Sequence, residues 1–370
     1  CVTAWRIAAG AYSAGMDGFT TKTPRRPGLD YLHGEAAPGH GGMMEITPRI
    51  QWIRLSLPFS LKFINVWLID DGDGWTIVDT GMPLGETREA WKAILGARVT
   101  PEKPLKRVIV THMHPDHVGC AGWLCYKYDS ELWMSRLEYT TCRMLVADTG
   151  REAPKAGTEF YRKAGWDQAA LDHYRERFGG FGRGVSLMPD SFFRLSDGDT
   201  FEMGGETWEV ITGSGHSPEH VCLFCPAANI LISGDQLLPR ISSNVSVHPT
   251  EPAANPLLDW MSSCEKLLER LPEDVLVLPA HNEPFRGAHK RLRHLIDGHE
   301  VALARLKQRL SEGPMKVLDT FVAIFGRRIE TDELSMATGE ALAHLNCLIY
   351  RGEVKTVAGA DGVVLYSLTA

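Results

Sequence analysis

The stretch THMHPDHVG at residues 111–119 places three histidines and one aspartate within six positions. It directly follows LKRVIV at 105–110, a short apolar run that is typical of a buried strand. Ligand sites of layered α/β proteins gather at the carboxyl ends of strands, where loops converge without disturbing the sheet. A buried imidazole is costly unless both of its ring nitrogens find partners. The stretch is therefore either a solvated polar loop or a set of ligands around a cation.

Three later loops, each following a predicted strand, supply the same residue types. They carry His216 after WEVITGSG, Asp235 after NILISG and His281 after VLVLPA. Together with the first loop they give these candidate metal ligands: His112, His114, Asp116, His117, His216, Asp235 and His281. Imidazole and carboxylate ligands in this mix suit Zn²⁺ best and also tolerate Mn²⁺ or Fe²⁺. The set is too large for one tetrahedral ion, so the sequence predicts two divalent metal ions.

The motifs HMHPDH, GSGHSPEH, SGDQ and PAHNEP, with VDTG at 78–81 upstream, resemble in order and context the five motifs of the metallo-β-lactamase-fold hydrolases. The resemblance covers about residues 48–300. It implies that His112, His114 and His216 hold one metal, that Asp116, His117 and His281 hold the other, and that Asp235 bridges them. It also implies that Asp79 of VDTG orients a ligand histidine and so fixes its tautomer.

The chemistry that the resemblance implies is hydrolysis without a serine or cysteine nucleophile. Two adjacent cations can share a water and lower its pKa, and so hold a bridging hydroxide at neutral pH. They also polarise the carbonyl group under attack. Asp116 and Asp79 are the candidate catalytic residues, and Asp116 would orient the hydroxide and pass a proton to the leaving group.

The implied fold class is α+β, a four-layer αβ/βα metallo-β-lactamase sandwich with two mixed sheets face to face and helices outside. Strand and helix patterns that recur in two similar rounds agree with it. Residues 1–45 are predicted to be an extended N-terminal arm, residues 46–300 the catalytic domain, and residues 301–370 a small winged-helix-like domain. The tail and the absence of a signal segment favour the glyoxalase-II-like, β-lactamase-like protein 2-like branch of the family.

The segment at 119–185 is predicted to be mainly helical, and its part at about 130–180 is expected to cover the metal site as a lid. This lid contains the aromatic residues Trp133, Tyr139, Phe160, Tyr161 and Trp166. They either line an enclosed apolar pocket or form the core of the lid itself. An apolar lid favours an acyl or lactone substrate over a polynucleotide.

The charge balance argues against nucleic acid as a partner. The chain has a formal net charge of −7, and its tail at 314–370 is also acidic, with a net charge of −2. No overall positive field therefore attracts a polyanion, and the tail is expected to serve in packing or homodimerisation. No apolar run approaches the roughly 18 residues of a membrane span, so no membrane association is expected. The eight cysteines are scattered through apolar runs, which indicates structural thiols and a cytoplasmic location.

These observations predict a dinuclear hydrolase of a carboxylic ester, thioester or lactone that acts on a small-molecule acyl substrate. The alternatives are a metal-dependent phosphodiesterase or nuclease, a mononuclear iron enzyme of the persulfide dioxygenase type, and a binding module with an inactive hydrolase domain. Asn244 and His248, in the loop after Asp235, either line the substrate pocket or belong to an ordinary polar loop. Likewise, His220 is either structural or functional. The basic residues Arg286, Lys290, Arg291 and Arg293 form either a solvated face or an anion-binding patch.

Overall fold

The computed structural model describes residues 25–26, 28–34, 36–330 and 333–369. Much of the predicted arm at 1–45 lies outside these residues. Within the described part, Asp30 and Arg286 exchange backbone hydrogen bonds of 3.1 and 2.8 Å, which tie this segment to the catalytic domain. The first strand begins at Met43, inside the range predicted as the arm.

The first sheet has seven strands that follow one another in chain order. They are β1 (Met43–Thr47), β2 (Ile50–Ser56), β3 (Phe63–Asp70), β4 (Trp75–Val78), β5 (Leu105–Ile109), β6 (Glu131–Ser135) and β7 (Phe193–Leu195). Pairing is antiparallel from β1 to β4 and parallel from β4 to β7. The parallel part directs the ends of β4 and β5 to one edge of the sheet.

The second sheet has five strands in the order β12-β11-β10-β9-β8. They are β8 (Thr200–Met203), β9 (Glu206–Gly213), β10 (His220–Cys225), β11 (Ile230–Gly234) and β12 (Leu276–Pro279). Only β11 and β12 pair in parallel, so the chain ends of these two strands also share one edge.

The helices lie outside the two sheets. They are α1 (Gly85–Gly96), α2 (Pro115–Val118), α3 (Ala121–Tyr128), α4 (Arg136–Ala147), α5 (Lys155–Lys163), α6 (Gln168–Arg177), α7 (Pro256–Arg270), α8 (Ala288–Leu310), α9 (Phe321–Phe325) and α10 (Leu334–Tyr350). On β2, Trp52 joins a buried cluster shared with Trp208 of the second sheet, whereas its neighbour Ile53 packs with Trp91 of α1. Successive side chains of a strand point to opposite faces, so one cluster lies between the sheets and the other beneath the helices. The four-layer αβ/βα fold predicted from the sequence is confirmed.

The segment predicted as a helical lid begins with a strand. Glu131–Ser135 forms β6, because a short apolar run such as LWM fits a buried strand as well as a helix. The three helices α4, α5 and α6 follow it. Tyr161 stacks on Trp166 with ring centroids 4.2 Å apart, and each is only 8% exposed. These two aromatic residues therefore belong to a packed core.

The C-terminal elements pack against the second sheet and its helices. The tail contains a hairpin of β13 (Val354–Ala358) and β14 (Val364–Leu368), and a 3₁₀ turn over Val317–Thr320 leads into the short α9. Trp166 donates a 3.0 Å hydrogen bond to Thr338 of α10. The predicted domain boundary between residues 300 and 301 lies inside the continuous helix α8.

Two further observations concern the environment of the chain. The seven cysteines from Cys120 to Cys347 are free thiols and are all buried, as expected for structural cysteines. Across the described residues, no helix combines the length and apolar character needed to cross a bilayer.

Candidate metal centre

Four loops from the two sheets meet at one edge of the sandwich. They follow β5, β9, β11 and β12, and backbone hydrogen bonds join them. Val221 donates to the carbonyl of Thr111 at 2.8 Å, and Ala280 donates to that of Gly234 at 3.0 Å. Residues distant in sequence are thereby held around one centre.

The structure brings all seven predicted ligands together. Three overlapping groups each have their ligand atoms within 4.8 Å of one another: His112 with His114 and His216, Asp116 with His117 and His281, and His112 with His117 and Asp235. The first two groups are the two sets that the sequence resemblance implied. Donor sets of this composition suit divalent metal ions.

Asp235 lies between these two sets. Its Oδ2 is 3.4 Å from Nε2 of His216, and its Oδ1 is 3.4 Å from Nε2 of His281. One carboxylate thus presents an oxygen to each set. This is the arrangement expected of a bridging ligand.

Three of the imidazoles are anchored through Nδ1. His117 bonds to Oδ2 of Asp79 at 2.8 Å, His216 to the carbonyl of Asn244 at 2.7 Å, and His281 to the carbonyl of Phe63 at 3.0 Å. An imidazole that donates through Nδ1 carries its lone pair on Nε2, so we assign this tautomer from the hydrogen bonds.

The Nε2 atoms of these histidines have no hydrogen-bond partner among the described residues, although all three are buried. The same is true of Oδ1 of Asp235. Unpaired buried acceptors are costly, and cations bound at the two sets would satisfy all four atoms. The residues present therefore fit divalent metal ions.

Asp79 supports the centre from beneath. Its backbone has φ 59°, a left-handed conformation that aspartate tolerates better than most residues and that often marks a functional site. Its carboxylate accepts the Thr111 N–H at 2.9 Å as well as the Nδ1–H of His117. Asp79 is thus placed to orient His117 and the start of the ligand loop.

Burial sets the protonation states of the first set of ligands. It lowers the pKa of His112 well below its usual value and that of His114 to about 3, and repulsion between neighbouring imidazoles adds to the effect. Both rings are therefore neutral at physiological pH, which is the state that binds a metal. Burial alone would raise the pKa of Asp235, but His281 and His117 outweigh it and hold that pKa well below its usual value.

The centre is accessible from one side. His112, His117 and His281 are buried, whereas His114 and His216 are partly exposed. A substrate would approach from the edge formed by these last two residues.

Two residues that hold the ligand loops were not predicted from the sequence. The carboxylate of Glu138 on α4 accepts the backbone N–H groups of Met113 and Glu219, each at 2.8 Å, and so connects the first loop with the loop of His216. Asn65 on β3 donates to the carbonyls of Pro279 and Asn282, on either side of His281. A polar residue inside the apolar run FINVWLID was a usable signal for Asn65. Nothing around Glu138 in the sequence marks it.

His220 belongs to the support of the centre. Its Nε2 accepts the backbone N–H of Asp235 at 3.0 Å, and its ring stacks on that of His112 with centroids 4.8 Å apart. The lone pair of Nε2 is therefore committed to the backbone. This geometry favours the structural interpretation of His220.

The remaining candidates are spread over different environments. Asn244 holds His216 and lines a cavity beside α8 and α10, whereas His248 is exposed and lies outside the lining of that cavity. Of the basic group, Lys290 and Arg293 are exposed, but Arg291 is buried and lines the same cavity as Asn244. The group therefore does not form one continuous patch.

The chain is similar to known proteins in sequence and in fold. The metallo-beta-lactamase superfamily model matches residues 60–281, and the model of the metallo-beta-lactamase-like C-terminal domain matches residues 303–369. A solved beta-lactamase domain protein from Burkholderia ambifaria is 39% identical, with a TM-score of 0.83, over 92% of this chain and 98% of that chain.

Two curated relatives carry hydrolase names. The probable metallo-hydrolase YqjP of Bacillus subtilis is 24% identical over 80% of this chain and 91% of its own length. The human acyl-coenzyme A thioesterase MBLAC2 is 25% identical over 66% of this chain and 81% of its own length. Together with the family matches, these relatives establish that the chain belongs to the metallo-β-lactamase superfamily and is a metal-dependent hydrolase.

Proposed function

We propose that this protein is a dinuclear hydrolase that cleaves an acyl bond of a small molecule, with Zn²⁺ as the preferred metal. The observation that carries the proposal is the position of Asp235, whose two oxygens face two separate sets of three ligands. A mononuclear iron enzyme needs no second set of metal ligands. The presence of Asp116, His117 and His281 therefore favours a centre with two metal ions.

Each part of the centre has a distinct task. Bound divalent cations would supply an activated water and polarise the carbonyl of the substrate. Asp79 holds His117 in the tautomer that presents Nε2 to the centre. Asp116, with Oδ2 3.4 Å from Nε2 of His281, is the carboxylate positioned to orient the attacking water and to return a proton to the leaving group.

The substrate class follows from charge and from similarity. A thioester is our first choice, because MBLAC2 is named as an acyl-coenzyme A thioesterase. Carboxylic esters and lactones undergo the same attack on a carbonyl carbon. The net charge of −7 disfavours nucleic acids and therefore a nuclease. A cytoplasmic location, the absence of a membrane partner and homodimerisation stay predictions.

The proposal is tested by metal analysis together with a substrate panel. We expect two zinc ions per chain in the wild type and one in His281→Ala, with His173→Ala on the exposed face of α6 as the matched control. Thioesters, esters, lactones and phosphodiesters are then compared. One iron per chain, or turnover of phosphodiesters alone, would contradict the proposal.

The role of Asp116 has its own test. Asp116→Asn is expected to lower kcat at least about 100-fold, since a positioned acid–base group contributes about 10²–10⁴-fold. The metal set of His112, His114 and His216 does not include this residue, so at least one zinc ion is expected to remain bound. A variant with both metals and full turnover would exclude Asp116 as the proton carrier.

A further inference from the structure

A cavity of about 430 Å³ lies beside the metal centre, among α8, α9 and α10. Its volume falls within the range of about 300–1,000 Å³ that is usual for small-molecule sites. Asn244 lines it, and the backbone carbonyl of this residue holds Nδ1 of the ligand His216 at 2.7 Å. Asn244 would therefore contact both a molecule in the cavity and the metal ligand His216.

Two guanidinium groups that line this cavity have no carboxylate partner in the part of the chain that the structure describes. Arg291 is 2% exposed and donates Nε and Nη2 to the backbone carbonyls of Leu238 and Ile241 at 2.7 and 2.6 Å. Arg26 donates Nε to the carbonyl of Arg240 at 3.1 Å. No carboxylate of a described residue lies within 4.0 Å of either group. Both arginines keep further N–H donors for a ligand, because a guanidinium carries five.

The buried cation is unusual in energetic terms. Burial lowers the pKa of Arg291 to about 10, and the neighbouring Arg26 adds to the effect, so the side chain is still charged at neutral pH. A buried charge is normally compensated by an opposite charge. Two adjacent positive groups whose side-chain hydrogen bonds to described residues all end on backbone carbonyls leave room for an anion.

The acidic residues of the cavity do not cancel this charge. Glu333 pairs with Arg327 at 2.6 Å. Glu340 forms an ion pair with neither arginine and instead accepts a 2.7 Å hydrogen bond from Nδ2 of Asn244. Burial raises the pKa of Glu340 to about 7, so this carboxyl group is only partly ionised at neutral pH. The lining therefore has an excess of positive charge of between one and two units.

The rest of the wall is largely apolar. It includes Leu295, Ile324, Phe325, Ile329 and Met336. Such a surface gains free energy when it covers a hydrocarbon chain. A polar or multiply charged metabolite would leave this surface without a partner.

We infer that this cavity binds a monocarboxylate with an apolar chain, the carboxylate between Arg26 and Arg291 and the chain against the apolar wall. Planar guanidinium groups match a carboxylate in shape and hydrogen bonding. The small positive excess suits a monoanion better than a phosphate dianion. The inference goes beyond the proposed function and does not depend on it, because it concerns binding and not turnover.

The test is calorimetric titration of the zinc-loaded 370-residue chain with octanoate, which contains no bond that a hydrolase cleaves. Octyl phosphate and octanol are titrated alongside it. We expect one octanoate to bind per chain and octanol to bind at least about tenfold more weakly. The affinity for octyl phosphate is expected not to exceed the affinity for octanoate.

Matched variants connect binding to the cavity. Arg26→Gln removes a charge and Ala302→Leu fills space at the wall, and each is expected to weaken octanoate binding about tenfold. Arg293→Gln and Ala304→Leu lie on the same helix α8 but outside the lining, and they are expected to bind like the wild type. Circular dichroism verifies that each variant is folded.

Four results would overturn the inference. If octanol bound as tightly as octanoate, the arginines would have no role in binding. Tighter binding of octyl phosphate would assign the cavity to a phosphate ligand. Unchanged affinity in folded Arg26→Gln and Ala302→Leu, or no binding of octanoate at all, would show that the cavity does not bind such a ligand.

Discussion

Replacement of Glu138 by glutamine is expected to loosen the metal centre without altering any ligand. The two carboxylate oxygens accept the N–H groups of Met113 and Glu219 at 2.8 Å each, and these residues belong to the loops that carry the first metal set. Glutamine has the same shape but only one acceptor oxygen. One of the two backbone N–H groups would therefore face an NH₂ group.

The magnitude follows from the burial of the site. Glu138 is 0% exposed, so the unpaired N–H cannot turn to water, and a buried unsatisfied donor costs about 1–3 kcal/mol. Burial also raises the pKa of Glu138, and a neutral glutamine avoids the cost of a buried charge, which offsets part of this loss. We expect a net destabilisation of about 1–2 kcal/mol at pH 8. Glu138→Ala leaves both donors unpaired and is expected to cost about 2–6 kcal/mol.

The effect on the metal should be larger than the effect on the fold. Residues that hold ligands in place typically change metal affinity by about 10–100-fold, so Glu138→Gln is expected to weaken zinc binding within that range. Competition with a chromogenic chelator measures the affinity, and thermal unfolding measures the stability. Glu152→Gln, on the exposed segment before α5, is the matched control.

A particular pattern of results would refute this reasoning. If Glu138→Gln lowered the melting temperature but bound zinc within twofold of the wild type, the carboxylate would support the fold and not the ligand geometry.

Three further perturbations address the metal, its support and the cavity. Chelation with EDTA should lower the melting temperature in thermal unfolding, because Nε2 of His117 and Oδ1 of Asp235 lose their partner; an unchanged value would contradict a bound metal. Asp79→Asn should weaken zinc binding about 10–100-fold in chelator competition, and wild-type affinity would exclude its orienting role. For Glu340, burial raises the pKa from 4.5 to about 7, so its stabilising contribution is complete below pH 4.5 and is lost as the pH rises through 7. In denaturant unfolding, the free energy of unfolding of the wild type should therefore fall by up to about 3 kcal/mol relative to that of Glu340→Gln as the pH rises across this range. If the two free energies changed in parallel with pH, the raised pKa of Glu340 would be contradicted.

The metal ligands could be predicted because their chemistry leaves a local trace. Each of the four loops carries a histidine or aspartate directly after an apolar strand, and the first loop holds four of them within six positions. The strands fix where these loops go, since the ends of β5, β11 and β12 reach one edge of the sandwich. The local sequence pattern of the loops and their position in the fold therefore identify the same residues.

The supporting residues could not be predicted because their partners are backbone atoms from distant loops. Glu138 occupies a helix position that looks like any other acidic residue, and its role exists only where Met113 and Glu219 come together. Arg291 likewise shares the helix α8 with exposed basic residues, and only the fold turns it inward. The helix predicted over the residues of β6 was wrong, because five residues are too few for periodicity to separate a strand from a helix.

The tail is joined to the rest of the chain by a common interior. Trp260 of α7 and Leu231 of β11 belong to the same buried cluster as Leu345 of α10 and Tyr366 of β14. A chain cut after α8 would present this apolar interior to water, with the loss of burial that otherwise stabilises the second sheet. Because β11 leads directly into Asp235, such a truncation would disturb the position of this carboxylate and reduce solubility. The hydrolase domain and its tail therefore form one unit for selection and for engineering, and metal content would report on the integrity of both.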